Sequence, residues 1–247
     1  MAQQHEEKDV TFATLPAILC LHGYGTNAAI FRCQLRQITQ TLSRTFRFVF
    51  VEGPFHVQQP GPGALPAFAD ARPFRRWHSH KTLAGAFGVS TQNVEEERRQ
   101  VRDLLKDTLE REREHGPGVV GVAAFSQGAG VAASLCLDSE LGTDIKFAVI
   151  ICALYPAVSL AEHEDGTAAS KSTMRLIEIP SIHIQGMSDS WKGQGTKVLR
   201  EYFNGAKAKI FNLVGVGHEV PSRVKEAAIV ADEVMAVWKS ILAGGQE

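Results

Sequence analysis

The sequence predicts an α/β fold, a mostly parallel, doubly wound sheet within a single domain. Three observations carry that expectation. Six short apolar runs recur along the chain: AILCLH (17–22), FRFVFV (46–51), VVGVAA (119–124), KFAVIIC (146–152), SIHIQ (181–185) and AKIFNL (208–213). Their apolar character is continuous rather than alternating, as in strands covered on both faces. Helix-period patterns lie between them, and strand–helix alternation lays successive strands parallel.

The elements follow in order. A polar tail, residues 1–14, precedes one domain placed at 15–243. The first helix is expected over 26–43, where Ile30, Leu35, Ile38 and Leu42 recur at helical spacing. Segment 54–90 then breaks the rhythm. Prolines at 54, 60, 62, 66 and 73 exclude a long helix or a central strand there. Loops of this length in a compact domain are commonly lids or binding walls. Phe55, Leu65, Phe68, Phe74 and Trp77 favour an ordered wall, because aromatic side chains seek burial. A helix over 93–115 follows, with Val94, Val101, Leu104, Leu105 and Leu109 on one stripe. Its Glu and Arg residues read as a solvated face. The last helix is expected from Pro221 to about Leu242, turning Val224, Ala228, Val234, Val237, Trp238 and Ile241 inward.

Composition excludes several function classes. With 44% hydrophobic and 21% charged residues over 247 positions, the chain is neither disordered nor fibrous. A formal charge of −1 leaves no electrostatic footprint for nucleic acid. No apolar run approaches the roughly 18 residues of a membrane helix, so no membrane partner is expected. The opening MAQQHEEKDV is unlike a secretory or mitochondrial signal. Cys20, Cys33, Cys136 and Cys152 form no C-x-x-C pair and read as reduced core residues of a cytoplasmic protein.

The sharpest local signal is VVGVAAFSQGAGVAASLCL, a strand running through Ala124-Phe125-Ser126-Gln127-Gly128 into a small-residue helix. This is a G-x-S-x-G nucleophile elbow with Ala124 at the first glycine. A serine hydroxyl needs a base. His5, His115 and His163 lie in polar or charged stretches, and His78 and His80 form an H-x-H pair without an acidic or cysteine partner at metal spacing. His218 instead lies in a glycine-rich loop between the last strand and the last helix. An acid should fall between serine and histidine in chain order, and Asp189 does, on the loop beyond SIHIQ. Ser126, Asp189 and His218 are therefore expected as nucleophile, orienting acid and base. The oxyanion donors are expected at the backbone amides of Gln127 and of Tyr24, the latter in Leu21-His22-Gly23-Tyr24-Gly25. His22 is expected to brace that loop. No metal or cofactor is expected, since the glycine-rich stretches lack phosphate-binding patterns.

Together, ILCLHGYGTNAAIFRCQL, AFSQGAGVAASL, HIQGMSDSW and GVGHEVP resemble the family serine hydrolase (FSH) group of α/β-hydrolases over essentially the whole chain. Ala124 departs from the glycine frequent there. FVFVEGPF with GPGALPAFADARPFRRW is similar to trans-acting thioesterases of fungal polyketide pathways, of the lovastatin-pathway type. The resemblance implies an α/β-hydrolase fold that releases a small-molecule acyl chain from an acyl-carrier-protein domain of a polyketide synthase. Phe68 and Trp77 are then candidate pocket walls, and Asp70 is either a substrate-facing group or a turn cap. A short-chain carboxylesterase and an acyltransferase passing the chain to an alcohol or carbon acceptor remain open, because the same triad serves all three.

Overall fold

Residues that are apolar on both faces of a strand need cover on both sides, and the fold provides it for the four inner strands but only in part for the edge strands at 47–51 and 208–213. The structure, a computed structural model, describes residues 14–79, 94–155, 160 and 175–245. All but Thr14 of the expected polar tail lies outside these residues. Six parallel strands form the central sheet: β1 (Ala17–Leu21), β2 (Arg47–Val51), β5 (Val119–Phe125), β6 (Phe147–Ile151), β7 (Ser181–Gly186) and β8 (Ala208–Leu213). Their spatial order is β2-β1-β5-β6-β7-β8. The chain thus winds outward in both directions from the β1–β5 centre, as an α/β-hydrolase sheet does.

Alternation along each strand sorts the core into two layers. Leu19, Leu21, Val122, Ala124 and Ile150 face α3 (Val94–Glu114), α4 (Gln127–Leu137) and α5 (Lys192–Tyr202). Ile18, Cys20, Ala123, Val149, Ile151, Ile182 and Ile184 face α1 (Ala28–Gln34), α2 (Arg36–Leu42) and α6 (Val224–Gly244). On that second side Phe46 meets Trp238 edge-on, with ring centroids 5.3 Å apart, and seats α6 on the sheet.

Three expectations need correction. The single helix over 26–43 is two helices that meet at Leu35. No glycine or proline forces the break; both halves turn apolar residues inward, Ile30 and Phe31 from the first, Ile38 and Leu42 from the second. In α6 the buried face is Ala227, Val230, Ala231 and Val234, while Val224 is exposed at the first turn. Cys33 is exposed rather than a core residue, although all four cysteines are free.

Segment 54–90 is more regular than its prolines suggest. An antiparallel pair, β3 (Phe55–Val57) and β4 (Phe74–Arg76), encloses the stretch holding Pro60, Pro62, Pro66 and Pro73. The prolines sit between the paired strands, so every residue of β4 keeps its N–H for pairing. Arg75 also exchanges backbone hydrogen bonds with the loop after β1, donating to the Thr26 carbonyl and accepting from Gly25 N–H. At the far end Glu97 of α3 receives Arg76 Nη2 at 2.6 Å and the Ser79 N–H at 2.5 Å. Burial opposes charge on Glu97, but these bonds outweigh it and hold the carboxyl below its ordinary range. The remaining residues of the segment, 80–90, lie outside the described ones.

His183 on β7 is buried against the edge of Phe203, with Nε2 3.1 Å from Ser181 Oγ. Burial lowers its pKa from 6.5 to about 4, and burial lowers that of His22 to about 4 as well. Between those values the unfolded chain binds the additional protons, so stability falls as pH drops from 6.5 towards 4. Thermal melts across that range should show a falling midpoint. His183→Leu should flatten the slope without abolishing it, because His22 titrates alike; an unaltered slope would show that His183 does not stay neutral in the fold.

Candidate active site

Where β5 ends, Ser126 adopts φ 55° and ψ −117° before α4 begins. This left-handed conformation is unfavourable for a residue with a Cβ and is held by its surroundings. Ser126 N–H donates to the Ile151 carbonyl at 2.9 Å, tying the turn to the neighbouring strand. The side chain makes no cap hydrogen bond to its own helix, so its hydroxyl points elsewhere. An alanine is tolerated at 124 because that residue lies inside β5, paired with Leu21 and Ile150, rather than in the turn.

Small residues allow the close approach. A Cβ on Gly128 would lie 2.4 Å from the Leu21 carbonyl oxygen and 2.5 Å from that of His22. The first turn of α4 therefore rests directly on the end of β1. A Cβ on Gly23 would lie 2.7 Å from the Phe125 ring and 3.2 Å from Ser126 Cβ, which places the Gly23–Tyr24 loop beside the serine. His22 braces that loop from within. Its Nε2 accepts the Gly53 N–H at 2.9 Å and its Nδ1–H donates to the Gly23 carbonyl at 2.8 Å. One nitrogen accepting and one donating is the pattern of a neutral imidazole, in agreement with its lowered pKa.

Asp189 and His218 come from two loops that touch. A Cβ on Gly186 would stand 2.1 Å from the Gly217 carbonyl oxygen. Met187 N–H donates to Leu213 O and Ser188 N–H to Val216 O, both at 2.9 Å, so the backbones fix each other. Across this junction His218 Nδ1 lies 2.8 Å from Asp189 Oδ2, and His218 Nε2 lies 2.8 Å from Ser126 Oγ. A carboxylate accepts, so Nδ1 carries the proton and Nε2 is left to accept from the serine hydroxyl. Burial opposes ionisation of Asp189, but the His218 hydrogen bond and charge, with the Trp191 N–H on Oδ1 at 2.7 Å, hold its pKa below the ordinary value. Such a chain can draw a proton from the hydroxyl as its oxygen attacks an electrophilic carbon.

Several contributors were not anticipated. Trp191 packs edge-on against the His218 ring at 4.7 Å, and Phe125 lies against it at 5.1 Å. An aromatic residue two positions after the acid was the visible signal for the first. Cys152, at φ 45°, stands beside Asp189, and burial raises its thiol pKa to about 12. Cys152, Asp189 and His218 are a set of metal-capable donors converging within 4.8 Å, with the Asp189 and His218 atoms engaged with each other.

The candidate wall residues are placed differently. Trp77 is fully buried, its indole N–H donating to the His22 carbonyl at 2.7 Å. It supports the Tyr24 loop instead of lining an open pocket, because the indole fills the space beneath His22. Phe68 is half-buried against Ile30, Ala64 and Phe74. Asp70 is exposed, and its carbonyl accepts the Arg72 N–H. Gly63 approaches the Phe125 ring, so the Pro62–Ala64 turn packs against the residue that precedes the serine. A cavity lined by Cys136, Asp138, Ile145, Arg175 and Ile177 opens at the opposite, N-terminal ends of β6 and β7. His78 lies buried with its carbonyl accepting from Gln127 Nε2, His115 is exposed just past the end of α3, and His5, His80 and His163 are outside the described residues.

Comparison with known proteins decides the family: residues 12–229 match the family described as Serine hydrolase (FSH1). The chain belongs to it. The thioesterase FSL2 of Gibberella zeae is 43% identical over 238 residues, covering 92% of this chain and 94% of that one. A probable esterase, azaC, of Aspergillus niger is 32% identical, covering 93% and 87%. Among solved structures, the esterase PE8 superposes with a TM-score of 0.60 over 91% of this chain and 93% of that one at 18% identity, a likeness of fold. The serine hydrolase is an enzyme acting on ester or thioester bonds. Among its described residues no helix is long and apolar enough to cross a membrane.

Gly128→Ala tests the close contact between α4 and β1. Overpacking against two backbone carbonyls should destabilise by about 2 kcal/mol, lowering Tm by roughly 4–8 °C for a chain of this size. A midpoint within about 1 °C of wild type would show that the helix can withdraw without loss.

Proposed function

We propose that this hydrolase releases an acyl chain from the carrier-protein domain of a polyketide synthase. The observation that carries the reading is the His218 ring, 2.8 Å from Ser126 Oγ on one side and 2.8 Å from Asp189 Oδ2 on the other. Ser126 Oγ attacks the thioester carbonyl carbon while His218 Nε2 takes the hydroxyl proton. Asp189 keeps the imidazole in the tautomer that can accept and stabilises the resulting imidazolium. Negative charge develops on the former carbonyl oxygen, which the backbone N–H groups of Gln127 and Tyr24 receive. Ser126 heads the N-terminus of an 11-residue helix, and the positive end of its dipole favours the same charge.

The tetrahedral species collapses as the C–S bond breaks and the leaving phosphopantetheine thiol takes the proton from His218. Water then attacks the acyl-serine ester with His218 again as base, and a carboxylic acid leaves. His218 moves the proton in both half-reactions, and water is the acceptor consumed in the second.

Two observations favour a carrier-bound polyketide over a free ester. The FSL2 relative is a thioesterase of similar length. The GPGALPAFAD stretch, through which the resemblance to polyketide thioesterases is most specific, packs at Gly63 against the ring of Phe125, the residue before Ser126. Phe68, in the small apolar cluster of that stretch, is the candidate wall for the acyl chain. The compartment proposed is the cytoplasm, where the carrier protein would be met.

Ser126→Ala should abolish fluorophosphonate labelling and reduce turnover by at least about 10³-fold, and Asp189→Asn should reduce kcat by roughly 10⁴-fold with the fold intact. Labelling of the Ser126→Ala protein at the wild-type rate would remove the nucleophile. The substrate class is read separately, by comparing turnover of an acyl-carrier thioester with that of p-nitrophenyl esters. Preference for the simple esters would favour the carboxylesterase reading, and product appearing as an ester or carbon-linked adduct would favour acyl transfer.

A further inference from the structure

The residue after the nucleophile contributes more than its backbone. Gln127 is 2% exposed, and its carboxamide makes two hydrogen bonds to one distant stretch of backbone. Oε1 accepts the Trp77 N–H at 2.8 Å and Nε2 donates to the His78 carbonyl at 2.9 Å. The amide thus pairs with residues 77–78 as a neighbouring strand would, satisfying a donor and an acceptor beyond the end of β4. Trp77 continues the chain of contacts. Its indole N–H donates to the His22 carbonyl at 2.7 Å, and its ring lies 5.1 Å from the His22 ring. His22 leads directly into the loop that carries Tyr24.

We propose that Gln127 is a positioning residue whose side chain, through Trp77, sets the spacing between the two oxyanion donors. The proposal rests on the triad and oxyanion roles given above. Those donors come from elements distant in sequence, the β1 loop and the first turn of α4. The Gly128 contact brings the two backbones together but acts on one side only. The Gln127–Trp77–His22 chain closes the other side with three hydrogen bonds of 2.7 to 2.9 Å. A buried glutamine that needed only to satisfy its polarity would be served by any two partners. Here both partners lie on the segment that also holds the Tyr24 loop. Oxyanion donors act only when they lie within about 2.7–3.1 Å of the developing charge, and a displacement of about 1 Å can cost on the order of 10²-fold in rate. Loosening the chain should therefore lower kcat and spare KM.

The test uses the full chain with Gln127→Met, Trp77→Phe, the double variant and Gln127→Glu, with Ser126→Ala as reference. Turnover of a p-nitrophenyl ester and the thermal midpoint are read for each. Gln127→Met should lower kcat by about tenfold or more with KM within about twofold. Trp77→Phe, which keeps an aromatic ring of smaller size but loses the indole donor, should lower kcat by less. The double variant should be no worse than Gln127→Met by more than about twofold, because both substitutions open one chain. Gln127→Glu separates positioning from packing. As a neutral acid it offers the same acceptor and donor, whereas ionised it turns an acceptor towards the His78 carbonyl. Its kcat relative to wild type should therefore rise as pH is lowered. Wild-type kcat in Gln127→Met, multiplicative losses in the double variant, or a pH-independent ratio for Gln127→Glu would each overturn the proposal. Should Gln127→Met fail to fold, the Trp77→Phe and Gln127→Glu readings decide it alone. Activity surviving in Ser126→Ala would instead overturn the triad; an inactive Ser126→Ala beside a fully active Gln127→Met would remove the positioning role and leave the triad standing.

Discussion

The site depends on one unfavourable backbone conformation being held in place. A serine at φ 55° and ψ −117° costs on the order of 1–3 kcal/mol, and its persistence requires surroundings that leave the turn no alternative. Those surroundings are a central strand paired on both sides and a helix whose second residue has no Cβ. The Ile151 carbonyl captures the Ser126 N–H, and the Ser126 carbonyl in turn accepts from Leu154. The sheet thus supplies the stability, and the turn presents the serine oxygen to His218 at the end of β5. Every other component reaches that oxygen from a loop, and each loop is fastened to the same end of the sheet.

The fastenings are mostly backbone to backbone or side chain to backbone. The Asp189 and His218 loops bind each other through peptide groups. The β3–β4 pair is joined to the β1 loop through Gly25, Thr26 and Arg75, and to α3 through Glu97. Such bonds specify geometry without asking much of residue identity. They account for a precise site assembled from segments that differ widely in composition.

What could be read beforehand follows from this division. The inner strands β1, β5, β6 and β7 were legible because burial on both faces demands continuous apolar runs; the edge strands β2 and β8 are only partly covered, yet all six appear within a residue or two of their expected bounds. Ser126, Asp189 and His218 were legible because chain order and loop type constrain them, and the fold brings all three into hydrogen-bonding range. The break at Leu35 was not legible, since neither glycine nor proline stands there and both halves bury apolar residues. Trp77 was misplaced for a related reason. An aromatic residue in a proline-rich segment signals burial, but not which side is buried. The Gln127 contacts were invisible because their partners are backbone groups some fifty positions away, which leave no trace in local sequence.

The two loops that meet at Gly186 and Gly217 carry a consequence for redesign. Their contact is made by peptide groups and absent side chains, while the residues next to it point outward: Met187 is 42% exposed and Val214 84% exposed. Mutational libraries at 187 and 214 would therefore vary the side chains beside the Gly186–Gly217 contact while leaving the spacing of Asp189 and His218 to the main chain. Swapping either loop by itself for one of another length would forfeit that register. A graft intended to change selectivity would have to move the pair together, as one cassette.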